Sequence, residues 1–266
     1  MDPLAALDLG LVRAENPSPF TLQGTNTWLV GRDPCYVVDP GPALPAHVER
    51  VAADALARGG IGGIAVTHDH PDHAGGVAAL RAAAGGAVPV AAARLAGADV
   101  RLRDDDDFGP LRALATPGHA PDHLAFLAGR ALFSGDAVLG HGSVFVFPDR
   151  GALRAYLAVL DRLEALDLAV ICPGHGPLVL DPAAKLREYR EHRRERERRL
   201  LDALGAGARS VDELLAHAWA DAPAALRPAA ALTLAAHLDK LAEEGRLPAG
   251  VQRPDVAGML SGWSSA

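Results

Sequence analysis

Three histidines and two aspartates fall within the seven residues 67–73, in the order Thr-His-Asp-His-Pro-Asp-His. Imidazole nitrogens and carboxylate oxygens are the protein ligands typical of zinc and related divalent cations. His68 and His70 are two residues apart and can point at one centre from an extended backbone, whereas Asp72 and His73 are displaced enough to serve a second. The run therefore predicts a metal site, and it fits two ions better than one.

The flanking residues predict that this run connects a strand to a helix. Residues 61–66 are apolar and β-branched, and a helical pattern opens at residue 74. Three later strands, predicted over residues 111–115, 131–134 and 168–172, also end in polar residues. The predicted ligands at these four strand ends are His68, His70, Asp72, His73, His119, Asp136 and His175. Asp136 is the expected bridge, because the two oxygens of a carboxylate can bind two cations.

Four nearby residues have more than one interpretation. Asp39 ends a strand and either orients a ligand or starts a turn. His123 is expected to be a hydrogen-bonded or packing residue rather than a ligand. Asp69 lies between two ligands and could assist proton transfer, but it is expected to be a solvent-side or hydrogen-bonding residue. Cys172, although close to a ligand in sequence, is expected in the buried strand as an inert thiol.

With these residues, the chain resembles the metallo-β-lactamase superfamily of hydrolases. The resemblance implies an α/β fold, the αββα sandwich of two mixed sheets with helices outside. It also implies that two ions, zinc in the first place with manganese or iron as alternatives, activate a shared water as hydroxide, with Asp72 and Asp136 taking part in catalysis. The implied ligands are His68, His70 and His119 for the first ion and Asp72, His73 and His175 for the second, bridged by Asp136.

A closer resemblance, to the β-lactamase-like protein 2 group, covers nearly the whole chain. It rests on three segments, residues 16–27, 133–136 and 172–177. It implies a catalytic domain over residues 1–182 and a small winged-helix-like domain over residues 183–266. The group includes a mitochondrial endoribonuclease that acts on single-stranded RNA, and related fungal proteins are thioesterases that release polyketides from carrier protein, so the resemblance implies either activity. The presence of Asp136 argues against an antibiotic-degrading enzyme, which has Cys there, and His141 departs from the acidic residue usual in the group.

We therefore rank RNA cleavage first, then hydrolysis of thioesters, other esters or lactones, then a non-catalytic metal-binding regulatory protein. The 49% hydrophobic content and the formal charge of −7 indicate a globular chain that binds neither DNA nor membranes. Two distant cysteines and a first segment without signal-peptide features favour the cytoplasm. A homodimer is possible.

The remaining elements are expectations from local pattern. Residues 88–91 are expected to form an edge strand because they contain a proline. Residues 185–204 read as a charged, solvated helix, Ser210 and Glu213 as a capping box, and residues 229–244 as a further helix, with Leu247 as the possible start of a wing.

Overall fold

The structure, a computed structural model, describes residues 7–256. The chain packs as two compact units. The first consists of residues 1–117, 122–144 and 166–183, and the second of residues 118–121, 145–165 and 184–266, as far as these are described. The domain boundary after residue 182 stays a prediction. The expectation about a signal peptide rests largely on residues 1–6, which lie outside the described residues.

Eleven strands in the described residues form two mixed sheets. They are β1 (Leu9–Arg13), β2 (Asn26–Val30), β3 (Cys35–Val38), β4 (Ile61–Ala65), β5 (Val90–Ala92), β6 (Val100–Arg101), β7 (Asp107–Phe108), β8 (Leu111–Ala115), β9 (Leu124–Ala128), β10 (Ala131–Gly135) and β11 (Val170–Pro173). The first sheet has the order β1-β2-β3-β4-β5-β6, and it is antiparallel up to β3 and parallel from β3 onward. The second has the order β11-β10-β9-β8-β7, and only its β10–β11 pair is parallel.

The expectation of an edge strand at residues 88–91 is wrong. Strand β5 lies between β4 and β6. Pro89 precedes the strand, where its carbonyl accepts the Ile64 N–H at 2.9 Å, so no ladder position needs the N–H that proline lacks.

The two sheets pack face to face over an apolar core. Trp28 of β2 lies 6.0 Å from Phe133 of β10, ring centroid to ring centroid, and both side chains are fully buried. Burying one such aromatic side chain contributes about 1.5–3 kcal/mol. The outer face of the first sheet packs against helices α1 (Pro45–Leu56) and α3 (Val77–Ala83), through residues such as Val51 and Leu80. This packing fixes the strand ends from which the site is built.

The described part of the second unit is helical. It contains α4 (Ala152–Glu164), most of α5 (Pro182–Gly205), α6 (Val211–Ala218), a 3-10 turn (Ala224–Leu226) and α7 (Arg227–Glu243). Ser210 and Glu213 form the predicted capping box, and Arg199 pairs with Glu195 at 2.7 Å on the charged face of α5. Residues 246–255 form no strand, so the possible wing at Leu247 has no strand within the described residues. A search of residues 7–256 finds no helix long and apolar enough to cross a bilayer.

Candidate metal centre

The site begins with Asp39, where β3 ends. Its backbone turns to a φ of 52°, a conformation that aspartate tolerates better than most residues. The buried carboxylate accepts hydrogen bonds from the Thr67 N–H at 2.7 Å, the Thr67 hydroxyl at 2.8 Å and His73 Nδ1 at 2.8 Å. Of the two interpretations left open for Asp39, the structure supports the one in which it orients a candidate ligand.

These bonds determine which nitrogens of two histidines can bind a metal. His73 Nδ1 must carry a proton, because Asp39 can only accept, so the lone pair of His73 lies on Nε2. The Thr67 hydroxyl donates to Asp39 and therefore accepts from His68 Nδ1 at 3.0 Å, which leaves the lone pair of His68 on Nε2. Sequence reasoning missed this role of Thr67, because only the fold shows that its partner is 28 residues away.

The short helix α2 (Pro71–Ala74) places the other residues of the run. His70 precedes it as the N-cap residue and accepts the backbone N–H groups of His73 and Ala74 through its carbonyl. Pro71 occupies the first turn, where its missing N–H is not needed. His73 lies beside His68, 4.3 Å from it between ring centroids, and also groups with Asp72 and His175, so the run can serve two centres, as the spacing predicts.

The seven predicted ligands occur in three groups of potential metal-binding residues. Within each group, one ligand atom per residue lies within 4.8 Å of the others. The groups are His68, His70 and His119; His68, His73 and Asp136; and Asp72, His73 and His175. The first and third have the composition implied for the two ion sites. The middle one joins Asp136 to one histidine from each, as a bridging carboxylate requires; that these residues bind metal stays a proposal.

The buried donors of the third group are crowded. His73 Nε2 and His175 Nε2 are 3.2 Å apart. Asp136 Oδ1 is 3.5 Å from the first and 3.4 Å from the second, and Asp72 Oδ2 is 3.2 Å from His175 Nε2. Lone pairs and negative oxygens that converge in this way repel one another unless a positive charge lies between them.

The ionisation of the group points to the same need for positive charge. Burial by itself lowers the pKa of His73, but the charges of Asp72, Asp136 and Asp39 outweigh it and raise the pKa to about 9. For His175 burial is likewise outweighed, by Asp136 and Asp72, and the pKa rises to about 10. Burial raises the pKa of Asp72, yet the charge of His73 and the hydrogen bond from His175 lower it to about 2. Without metal the site stabilises protons on imidazoles, and an all-nitrogen-and-oxygen donor set fits divalent cations equally.

Other predicted residues occupy their expected surroundings. His123 is buried and hydrogen bonded to Thr116 Oγ1 and to the Asp136 N–H, as expected for a residue that supports ligands. Asp69 is exposed. Cys172 is buried, and burial raises the pKa of its thiol, which agrees with an inert core residue. His141 is exposed, and its role stays a prediction.

Two family models match segments of this chain. The description "Metallo-beta-lactamase superfamily" matches residues 20–97 and 94–175, and "Beta-lactamase associated winged helix domain" matches residues 210–248. The chain belongs to the metallo-β-lactamase superfamily and carries this winged-helix domain. The predicted α/β fold class is thereby confirmed, and so is the interpretation of the protein as a metal-dependent hydrolase.

Individual relatives extend over most of the chain. A "Beta-lactamase-like protein 2 homolog" from Caenorhabditis elegans is 33% identical over 92% of this chain and 88% of its own length. An "Atrochrysone carboxyl ACP thioesterase" from Aspergillus chevalieri is 34% identical over 77% of this chain and 70% of its own. Among solved structures, a metallo-beta-lactamase family protein from Thermus thermophilus has a TM-score of 0.72 and 26% identity, covering 89% of this chain and 94% of the other.

Proposed function

We propose that the protein is a dinuclear, zinc-dependent hydrolase of uncharged esters or thioesters. His68, His70 and His119 would hold one ion, Asp72, His73 and His175 the other, and Asp136 would bridge them. Bound divalent cations supply a Lewis acid and lower the pKa of water. The chain's own contribution is to hold the imidazole lone pairs in place through Asp39 and Thr67.

The observation that carries the choice of substrate is the negative charge around His70. Asp69 is exposed beside this histidine, and its pKa is raised by burial and then by the charge of Asp122. The charge of Asp122 also acts on His70 itself. Asp69 and Asp122, two carboxylates near one candidate ligand, are called the acidic rim below.

An acidic rim disfavours a polyanion. Proteins that bind single-stranded RNA use basic grooves and stacked aromatic residues, and each phosphate brought to this rim meets like charge. Residues 1–182 contain 13 Lys and Arg against 21 Asp and Glu, so the surroundings do not compensate. A neutral acyl group meets no such repulsion. The likeness to a thioesterase supports the same choice, which places thioesters and esters ahead of the RNA first expected from sequence.

The test is hydrolysis by zinc-loaded protein of a neutral acyl thioester of N-acetylcysteamine, compared with a labelled single-stranded RNA. Asp136→Asn protein purified in parallel exposes contaminating activity. We expect thioester hydrolysis by the parent, a loss of at least about 100-fold in the variant, and no RNA cleavage that separates the two. RNA cleavage by the parent alone, without thioester hydrolysis, would overturn the proposal.

The role of the rim has its own test. Asp69→Asn and Asp122→Asn are near-isosteric changes that remove one charge each. We expect them to lower KM for an anionic succinyl ester and to leave KM for the matched neutral butyryl ester unchanged. Equal effects on both substrates would show that the rim does not select by charge.

A further inference from the structure

His123 lies between the end of β8 and the loop that carries Asp136. Its side chain is 1% exposed. Nδ1 is 2.7 Å from Thr116 Oγ1, and Nε2 is 3.0 Å from the backbone nitrogen of Asp136. The residue therefore contacts a candidate bridging ligand through the main chain of that ligand.

These two contacts define one tautomer of the ring. A backbone N–H can only donate, so His123 Nε2 must accept and carries no proton. The proton of the neutral ring is then on Nδ1, from which it is donated to Thr116 Oγ1. The threonine hydroxyl, which can donate or accept, accepts here, and the lone pair on Nε2 points towards the Asp136 N–H.

The hydrogen bond to Asp136 is made where the backbone is tightly turned. Gly135 has a φ of 47°, and a Cβ there would lie 2.8 Å from His123 Nε2 and 2.7 Å from Thr67 Oγ1. The next residues are held by the Ser134 hydroxyl, which donates to the Val138 carbonyl at 2.6 Å, and by the Ala137 N–H, which donates to the Ser134 carbonyl at 2.9 Å. Within this turn the Asp136 N–H is fixed from outside, by His123.

His123 also contacts the other part of the centre. Its ring lies 4.9 Å from the ring of His68, centroid to centroid, with the planes 32° apart. The N–H of the next residue, Leu124, donates to the Thr67 carbonyl at 2.8 Å. A displacement of His123 would therefore move both Asp136 and the loop that carries His68.

We propose that His123 is a positioning residue that, in its Nδ1-protonated tautomer, orients the Asp136 carboxylate by accepting the Asp136 backbone N–H. This proposal rests on the proposed function, because it takes Asp136 as a metal ligand. His123 itself contacts neither metal nor substrate; it acts through Asp136. Partners of metal ligands that act in this way typically change metal affinity or activity by about 10- to 100-fold when they are replaced.

A matched pair of variants separates orientation from packing. In His123→Gln, the amide oxygen can take the place of Nε2 as acceptor, whereas His123→Leu has comparable bulk and no acceptor. Thr116→Val removes the group that accepts the Nδ1 proton, and Thr116→Ser keeps it. Each folded variant is titrated in metal-free form with Zn²⁺ by calorimetry. The ring nitrogens of His123 are observed in the parent and the Thr116 variants by ¹⁵N NMR.

We expect the parent spectrum to show His123 protonated on Nδ1, with and without Zn²⁺. The leucine variant should bind Zn²⁺ about 10- to 100-fold more weakly than the parent, and the glutamine variant should recover most of the loss. Equal affinity of the leucine and glutamine variants, or a proton on Nε2 in the parent, would overturn the inference. If the leucine variant does not fold, the comparison of Thr116→Val with Thr116→Ser decides, since only the valine variant leaves the Nδ1 proton without its acceptor and should bind Zn²⁺ more weakly than the parent; equal affinities would overturn the inference.

These measurements need no substrate, so they test the inference about His123 independently of the proposed function. A parent that binds Zn²⁺ through the predicted tautomer but hydrolyses no thioester contradicts only the proposed function. A parent that hydrolyses thioesters, with a leucine variant that binds Zn²⁺ as tightly as the parent, contradicts only the inference about His123.

Discussion

Replacing Asp39 by asparagine should weaken metal binding although Asp39 is not among the candidate ligands. The carboxylate is 2% exposed and accepts from Thr67 twice and from His73 once. An asparagine can keep the bond from the Thr67 N–H, but its NH₂ group then faces His73 Nδ1. A donor there favours the other tautomer of His73, with the proton on Nε2, where the metal would bind.

The magnitude follows from these bonds. Hydrogen bonds to a charged acceptor contribute about 1.5–3 kcal/mol each, against about 1 kcal/mol between neutral groups. Weakening two of three charge-assisted bonds should lower the free energy of unfolding by about 1–4 kcal/mol. Metal affinity should fall by about 10- to 100-fold, which corresponds to about 1.4–2.7 kcal/mol.

The assay is calorimetric titration of metal-free Asp39→Asn protein with Zn²⁺, together with urea unfolding. Asp99→Asn is a suitable control, because Asp99 also accepts a backbone N–H, from Val90 at 2.9 Å, and is not among the candidate ligands. The control should bind Zn²⁺ like the parent. If Asp39→Asn binds Zn²⁺ within about twofold of the parent while remaining folded, the argument from tautomers is refuted.

Three further predictions concern stability and space. Burial, and then neighbouring arginines, lower the pKa of His192 to about 4; burial and then Arg193 lower that of buried His237 to about 3. In the unfolded chain both histidines have the ordinary pKa of about 6.5, so below that pH the unfolded state binds more protons than the folded state. The free energy of unfolding should therefore fall as the pH falls from about 6.5 towards 4, by up to about 2 kcal/mol per histidine at pH 5. Urea unfolding from pH 7 to 5 measures this change, and a flat profile contradicts it. Gly174→Ala should reduce Zn²⁺ binding in calorimetry, since the new Cβ would lie 2.7 Å from His73 Cε1 and 2.8 Å from Asp136 Oδ1, whereas Gly205→Ala, with open space around it, serves as the control. Removing bound metal with a chelator should lower the melting temperature, because a ligand at 100 times its Kd stabilises the folded state by about 2.7 kcal/mol. If protein that was fully loaded with metal melts at the same temperature after the chelator is added, the result argues against a site in the folded core.

The candidate ligands could be proposed from the sequence because the residues that suggest them lie close together along the chain or at the ends of apolar strands. His68, His70 and His73 lie in one short run, and imidazoles at a strand end have few structural uses. Asp39 was ambiguous because its role depends on Thr67, which reaches it only in the folded sheet. The wrong prediction of an edge strand at β5 has a similar cause. Strand β6 is only two exposed residues long and shows no periodic pattern, so the local sequence did not indicate that β5 has a second neighbouring strand.

The two histidines of the third ligand group, His73 and His175, are held in place by different contacts. His73 is fixed through its side chain, by Asp39. His175 Nδ1 has no hydrogen-bond partner among the described residues, so, apart from the contacts of Nε2 with other candidate ligands, the backbone holds its ring in place. That backbone is well fixed, since the His175 carbonyl accepts the Gly140 N–H at 2.9 Å, and the Asn26 amide donates to the carbonyls of Pro173 at 3.0 Å and Gly176 at 2.9 Å. The second candidate ion site therefore depends on Asp39 through His73 and, through His175, on the packing of β2 against the loop after β11, whereas His68 of the first site depends on Thr67. Substitutions that disturb β2 should therefore lower the metal affinity of the second candidate ion site more than that of the first.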